Sequence, residues 1–472
     1  MRGISCLLSF KNNLSKNIPY YDLLIRQING ASSGSSPNEP WICEKAVLFA
    51  DSDGSIITKI CEGYQFTIAF FGSISNSNEL KNELSTFGYD FLTDKEAELA
   101  LFCYIHFGEK CGQKLYGEFA FIIYDSMRRQ VFSISSKDGS MPVFYAKTGE
   151  DYVLSTSLKG VLSHPDITKR ISAKSLLELL SCQNRISSCI FEDVHLLPNH
   201  SFLKISKNGI IRGDYEKQNT GFPQNNFSHT NNAGIILSGS SSDLLLLENL
   251  CKNQEKEHLR TSIYAEKFPD VFSQFPTRKQ HLLTDDGTVL WALETSVSSC
   301  GFPFLSGYDY LLPIALKRAK GTGEILYFSF PDRFFAKKNY IKTLIKNDAF
   351  YNALENNMKE YIPDSHIIPP YPSLISGAFE TEVKTPLSSD TIYNEETPSF
   401  FVSQRVKTAL RHILLDIISK EHSPIIAFFK RSALLRLCEG GFTFSENESE
   451  SELIAYLIKL NMWFEINRPK II

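Results

Sequence analysis

The residues best placed to do chemistry lie in one stretch, residues 233–247, which reads AGIILSGSSSDLLLL. Ile235, Ile236 and Leu237 have the length and β-branching of a buried strand. Ser238 and Gly239 break that run, Ser240, Ser241, Ser242 and Asp243 follow, and four leucines then open a helix. Strand, small-residue turn and helix start together make an anion site. The turn's N–H groups and the helix N-terminus converge, and serine hydroxyls add donors. The same residues also suit an ordinary strand-to-helix turn capped by Ser242 or Asp243.

Composition limits what such a site could belong to. The chain has 472 residues, a net charge of −4 and 43% hydrophobic residues, enough for two cores of ordinary size. Charges of both signs are interspersed, with no basic block for nucleic acid and no acidic tail. No apolar run approaches a membrane span, and the start, MRGISCLLSFKNN, turns polar too soon for a signal peptide, so the expected setting is cytoplasmic, away from membranes. Ten scattered cysteines without a CxxC pair form neither a zinc pattern nor a disulfide framework and read as buried thiols.

The elements that would position the loop divide the chain in two. Over residues 1–217, strands are expected at 1–10, 46–50, 55–61, 66–71, 118–124, 130–135, 143–146 and 152–155, with helices at 78–87, 96–107 and 173–180 and a hairpin around Lys207 and Asn208. That mixture implies an α+β sandwich. Residues 218–232, QNTGFPQNNFSHTNN, read as a linker. From 233 to 472 strands alternate with helices, at 234–237, 261–264 and 324–328 for strands and about 290–297 for a helix. Helices then dominate, at 340–358, 403–419, 425–437 and 452–464. This is the pattern of an α/β nucleotide-binding-type core with a helical C-terminal part.

Several runs carry a more specific likeness. MRGI at the start parallels MCGI, and FGSISNSNEL at 71–80 parallels NGEIYNYREL without a gap. GEFAF at 117–121 parallels GMFAF, DGSMPVFY at 138–145 resembles FGIKPLYY, and LSTSLKGVLSHP at 154–165 resembles FASELKALLAHP. By these runs the first half resembles the class II glutamine amidotransferase domain of asparagine synthetase B. The resemblance implies an Ntn-type αββα sandwich. It also implies a nucleophilic cysteine at position 2, which is Arg2 here, and an oxyanion asparagine and a glutamine-holding glutamate where Phe71 and Ser73 stand. Arginine is no nucleophile and stays protonated, and its bulk at position 2 disfavours removal of Met1. The family's amine-gripping aspartate is retained as Asp94, a residue that also suits a helix cap. The family's arginine has no counterpart, since Lys45 is the one basic residue between Cys43 and Ile57, and Cys6, inside a strand without a free amine, does not replace the nucleophile. The expectation is a domain that keeps its shape and does not hydrolyse glutamine.

The second half resembles the synthetase domain of the same family more faintly. SGSSSD corresponds to the SGGxDS pyrophosphate loop, so the resemblance assigns Ser238, Gly239, Ser240, Ser242 and Asp243 to phosphate, with a serine in place of one glycine and the aspartate displaced by one position. Thr261, Ser262 and Ile263 match the strand whose backbone receives adenine. LYFSFPDRFF at 326–335 aligns on LSGEGADELF, where only Asp332 keeps a magnesium-side carboxylate, while Phe328 and Phe330 replace glycines. Lys430, in AFFKRSALL, stands nearest the lysine that steadies the pentavalent phosphorus, and suits a solvated helix position equally; VKTALR at 406–411 resembles GKYLLR. The last helix, with Leu453, Tyr456, Leu457, Leu460 and Trp463 at helical spacing, is expected to present an apolar stripe to the core.

Two readings follow. The first is a catalytically degenerate asparagine synthetase-like protein that binds or assembles, with a protein or peptide partner, as a homo- or hetero-oligomer, beside an active homologue and without a cofactor. The second is an ATP-dependent amide or lactam former that no longer uses glutamine, as in lasso-peptide macrolactam cyclases and β-lactam synthetases, with Mg-ATP as cofactor. A working glutamine-dependent synthetase is set aside by Arg2, Phe71 and Ser73 together.

Overall fold

The structure, a computed structural model, describes residues 3–16, 39–52, 54–135, 141–149, 151–180, 189–215, 233–237, 261–265, 279–282, 286–301, 303, 311–328, 343–346, 383–384, 404–442 and 450–472. Short runs rich in apolar, β-branched and aromatic residues in the first part build strands β1 (Ile4–Ser9), β2 (Trp41–Ile42), β3 (Ala46–Ala50), β4 (Ser55–Cys61), β5 (Tyr64–Ile74), β6 (Gly117–Asp125), β7 (Gln130–Ser135), β8 (Phe144–Thr148), β9 (Asp151–Ser155), β10 (Arg170–Ile171), β11 (Val194–Leu196), β12 (Ser201–Ser206) and β13 (Gly209–Asp214). Two six-stranded antiparallel sheets result, in the orders β11-β8-β9-β1-β3-β2 and β13-β12-β7-β6-β5-β4. The expected hairpin is present, with β12 and β13 paired from Ser201↔Asp214 to Ser206↔Gly209.

Each central strand sends apolar side chains to both faces, so both faces of each sheet must be covered. Ile4, Cys6 and Leu8 of β1 and Ala46, Leu48 and Ala50 of β3 meet Ala69, Ala120, Ile122 and Leu203 of the other sheet, which makes the inter-sheet core. The outer face of the second sheet, with Phe66, Ile68, Phe121 and Ile123, is covered by helices α1 (Ser77–Thr86) and α2 (Glu96–Phe107). The outer face of the first sheet, with Leu7, Val47, Phe49 and Val153, packs against helix α3 (Ala173–Leu180) and belongs to one apolar cluster that continues into the second half of the chain. The sequence expectation of an α+β sandwich is met.

The second half holds a parallel sheet of β14 (Ala233–Leu237), β15 (Thr261–Ala265), β16 (Lys279–Leu282), β17 (Ile325–Phe328) and β18 (Val383–Lys384), in the order β16-β15-β14-β17-β18. Around it lie α4 (Asp286–Cys300), α5 (Leu311–Ala319), α6 (Gln404–Ser419), α7 (Arg431–Cys438) and α8 (Glu450–Asn467). A short strand β19 (Lys470–Ile471) runs back to pair in parallel with β10. The expected linker at 218–232 and the helix at 340–358, apart from residues 343–346, lie outside the described residues.

Three local expectations are corrected. Residues 425–437 are not one helix: Pro424–Ala427 forms a 3-10 turn, and α7 begins only at Arg431. Asn461 Oδ1 accepts from Ser423 Oγ at 2.7 Å and holds the entry to that turn, while Phe429 bridges antiparallel to Ile345 and keeps the intervening backbone extended. In the last helix Leu453, Tyr456, Leu457, Leu460 and Trp463 lie in the core as expected, but they form no one-sided stripe, because every residue from Ser451 to Phe464 is buried, Lys459 and Asn461 included. Asp94 does not cap α2: the N-cap is Lys95, without a side-chain bond, and Asp94 is exposed beside Lys81 at 3.5 Å.

Glu98, in the first turn of α2, instead ties down the loop that leads into the helix. Its fully buried carboxylate accepts from Leu92 N–H at 3.0 Å, from Thr93 N–H at 2.7 Å and from Thr93 Oγ1 at 2.7 Å, and pairs with Lys59 on β4. Burial alone would raise its pKa; the Lys59 and Thr93 bonds and the Leu92 and Thr93 amides outweigh burial and bring it from 4.5 to about 2. A carboxylate depressed in the folded state stabilises above its unfolded pKa and loses that contribution as pH falls through the folded one. Glu98→Gln is therefore expected to cost about 2–3 kcal/mol near neutrality. In guanidinium unfolding, the gap between wild type and variant should close between pH 4.5 and about 2; a gap constant across that window contradicts the assignment.

Candidate functional site

In the first half the candidate site is the start of β1 and the ends of the strands beside it. Gly3 N–H donates to the carboxylate of Asp51, the residue after β3, and Asp51 N–H donates back to Gly3 O at 3.1 Å. Asp51 Oδ1 also accepts from Gly54 N–H at 3.0 Å. On the other side, Thr156 Oγ1, just beyond β9, accepts from Ile4 N–H at 3.1 Å. A Cβ at residue 3 would lie 2.0 Å from Thr156 Oγ1, so only glycine lets the chain pass between these two grips. Asp51 and Thr156 are buried. The backbone at residue 3 is thus fixed from two strands, whatever residue 2 carries; Arg2 itself lies outside the described residues.

On the facing sheet, Phe71 and Ser73 lie in β5, opposite Ala120 and Glu118 of β6. The Phe71 ring packs against the inter-sheet core, and Ser73 is exposed. Gly72 between them has φ of 108°, and a Cβ there would meet Glu118 O at 2.1 Å. The glycine of the motif keeps its backbone shape while its neighbours present a phenyl ring and a solvated hydroxyl. Cys6 is fully buried within β1, and burial followed by the nearby Cys43 pushes its thiol well above the ordinary value, so it supplies no thiolate. Lys45 Nζ is spent on the carbonyls of Phe10 at 3.3 Å and Asn12 at 3.4 Å.

In the second half, Ser238, Gly239, Ser240, Ser242 and Asp243 follow β14 and lie outside the described residues, as do Asp332 and Phe330. β14 is central in the parallel sheet, with β15 on one side and β17 on the other, and chain order departs in both directions from it. The C-terminal end of such a strand is where open α/β sheets form a crevice. Thr261, Ser262 and Ile263 lie within β15, whose backbone is laddered to β14 and β16 on its two edges. Ile263 is fully buried. Phe328 closes β17. Lys430 is the N-cap of α7 rather than a residue within it; its N–H donates to Leu344 O at 2.7 Å, and its half-buried side chain makes no ion pair among the described residues.

Sequence reasoning missed three groups. Asp51 and Thr156 sit at strand ends, where a polar residue reads as a turn. Glu324, directly before β17, is buried and accepts from Ser262 Oγ at 2.6 Å and from Tyr264 Oη at 2.6 Å. The Ser262 hydroxyl is thereby engaged near the N-terminal ends of β15 and β17. Burial, then the hydrogen bond to Glu324, raises the Tyr264 phenol above its ordinary value. Gly234 makes room for the network, since a Cβ there would meet Leu326 Cδ2 at 2.4 Å and Tyr264 Cε2 at 3.0 Å. Among the described residues no group of His, Cys, Asp and Glu could hold a metal ion, and no helix is long and apolar enough to cross a membrane.

Residues 59–216 match the family described as glutamine amidotransferase domain. The chain is 29% identical over 222 residues to "Asparagine synthetase [glutamine-hydrolyzing] 3" of Bacillus subtilis, covering 44% of this chain and 36% of that relative. It is 30% identical over 123 residues to "Asparagine synthetase [glutamine-hydrolyzing] 1" of the same organism, covering 26% of this chain and 19% of the relative. With "Putative asparagine synthetase [glutamine-hydrolyzing] 2" of Methanocaldococcus jannaschii it shares 30% over 103 residues, 22% of this chain and 19% of the relative. The first of these matches, the longest of the three, spans just over a third of its relative's length. A solved glutamine phosphoribosylpyrophosphate amidotransferase from Bacillus subtilis aligns over 46% of this chain and 50% of that one, with TM-score 0.32 and 12% identity.

Two substitutions test the geometry. Asp51→Ala removes the acceptor of a buried amide and should cost about 1–3 kcal/mol, with faster hydrogen exchange at Gly3 and Ile4; unchanged exchange there contradicts the grip. Tyr264→Phe leaves Glu324 with one hydroxyl donor fewer and should lower stability by about 1–3 kcal/mol in urea unfolding, whereas a neutral result places the carboxylate's support elsewhere.

Proposed function

From the place of its N-terminal part among the glutamine amidotransferase domains of asparagine synthetase B-like proteins, we propose that this chain is an asparagine synthetase-like protein that does not hydrolyse glutamine and is kept for binding or assembly. The observation that carries this reading is Phe71. An oxyanion hole works by preorganised donors aimed at developing negative charge. At the position where the family places an amide donor, this chain has a phenyl ring seated against apolar neighbours. A ring there offers no hydrogen bond, and an oxyanion beside it would lose solvation without compensation. Arg2 at the nucleophile's position and the solvated Ser73 at the substrate clamp's point the same way. The frame that holds residue 3 supports a domain selected for shape.

A second reading is favoured by the parallel sheet with β14 at its centre. That layout suits a nucleotide-binding-type domain of the adenine nucleotide α-hydrolase kind. Residues 238–243 would then follow the central strand as a phosphate loop, and the protein would form amides or lactams by activating a carboxylate as an acyl-adenylate. Asp332 would be the residue to hold magnesium and Lys430 the one to meet phosphate. The replaced loop glycine and the phenylalanines at 328 and 330 favour the first reading, since close approach of backbone to phosphate needs glycine.

The two readings separate in one pair of measurements. Purified protein should show no glutaminase rate above background and no covalent labelling by a glutamine analogue, and Arg2→Cys alone should not restore either, because Phe71 and Ser73 remain. Titration calorimetry with Mg-ATP should give no heat in the millimolar range. A dissociation constant of about 100 μM or tighter, lost in the Ser238→Ala, Asp332→Ala double variant, establishes the ligase reading instead.

A further inference from the structure

Domains joined in one chain move relative to one another by default, unless their interface is large and apolar. Here the interface is built around α8. All residues from Ser451 to Phe464 are buried, so the helix has no solvent face over that length. It is surrounded by both halves. Tyr456 Oη donates to Leu179 O of α3, in the first half, at 2.5 Å. Trp463 Nε1 donates to Gly301 O, after α4 in the second half, at 2.7 Å. The same indole lies 5.7 Å from the Phe191 ring of the first half, tilted by 33°. Gly301 completes the seam: with φ of 74° it ends α4, and a Cβ there would meet Leu158 Cδ2 at 3.2 Å. Beyond α8 the backbone continues the join, with Lys470 N–H on Lys169 O at 2.8 Å and Ile472 N–H on Ile171 O at 3.1 Å. One apolar cluster runs unbroken from Leu7 and Val47 through Leu293 and Leu410 to Trp463.

We propose that α8 clasps the sandwich and the parallel-sheet half into one cooperative unit, coupled through Tyr456 and Trp463, so that the two open and unfold together rather than as separate domains. Tyr456 and Trp463 suit this role because each ties apolar bulk to one directional bond with a backbone carbonyl. Packing alone tolerates sliding, and the bonds fix the register of the helix against both halves. A strain or a bound ligand on either side then changes the stability of the other.

Native-state hydrogen exchange on the full chain tests this, with Tyr264→Phe as a perturbation confined to the parallel sheet. In the wild-type background, protection of the β1, β3 and β9 amides should fall by the same factor as that of α4 and α8, about 5–30-fold. First-half strands that keep their full protection while α4 and α8 lose theirs overturn the proposal. Repeated in Tyr456→Phe or Trp463→Phe, the same perturbation should no longer reach β1, β3 and β9. Coupling that survives both clasp substitutions overturns the assignment to these two residues. If the Trp463→Phe protein does not fold, Tyr456→Phe, which removes one hydroxyl and no ring, still decides the point.

Discussion

A β-sheet with apolar side chains on both faces cannot meet water on either, and the first half of this protein is built from two of them. The inter-sheet core satisfies one face of each. Helices α1 and α2 cover the second sheet, and Glu98 fixes their geometry by joining the start of α2 to Lys59 on the edge strand. The outer face of the first sheet is covered by α3 together with the second half of the chain. Layer order, the position of α8 and the closeness of the two halves all follow from that demand for cover. Hydrophobic burial sets the arrangement, and directional bonds at strand ends set its register.

The same frame is indifferent to the side chains at positions 2, 71 and 73. What holds residue 3 is backbone bonding to Asp51 and Thr156, and this does not depend on the side chain at position 2. What shapes β5 is Gly72, whose close approach to Glu118 tolerates no Cβ. Neither set of contacts uses the side chain of Phe71 or Ser73, and the Phe71 ring adds apolar contact to the inter-sheet core. The atoms that fix the shape of this region are thus distinct from the side chains at positions 2, 71 and 73.

Legibility in the sequence followed the same division. Short apolar and β-branched runs such as 46–50, 55–61 and 130–135, and helices at 96–107 and 173–180, were read to the residue, because composition and turn signals agree with the pairing there. The segment 425–437 was misread because its apolar residues suit a helix, whereas a side chain distant in sequence, Asn461, holds a turn at its start. The last helix looked one-sided only because Lys459 and Asn461 are polar; buried all round, it violates the usual link between polarity and exposure. Asp94 suits a cap by its type and position, whereas Glu98 binds the amides of the loop before the helix, and that bond is visible only once the loop's path is known. Asp51, Thr156 and Glu324 carry no pattern at all. Their partners are other strands, and only the pairing reveals them.

The burial of α8 against the first half has a consequence for biosynthesis. A ribosome makes residues 3–215 long before residues 450–467, at roughly 5–20 residues per second. During that interval Leu7, Val47, Phe49 and Val153 have α3 beside them but neither the indole of Trp463 nor the phenol of Tyr456 over the seam. The nascent sandwich therefore waits with an adhesive face turned to solvent or to whatever holdase shelters it, and premature release, or a stop codon ahead of α8, would leave that face permanently bare and prone to aggregate.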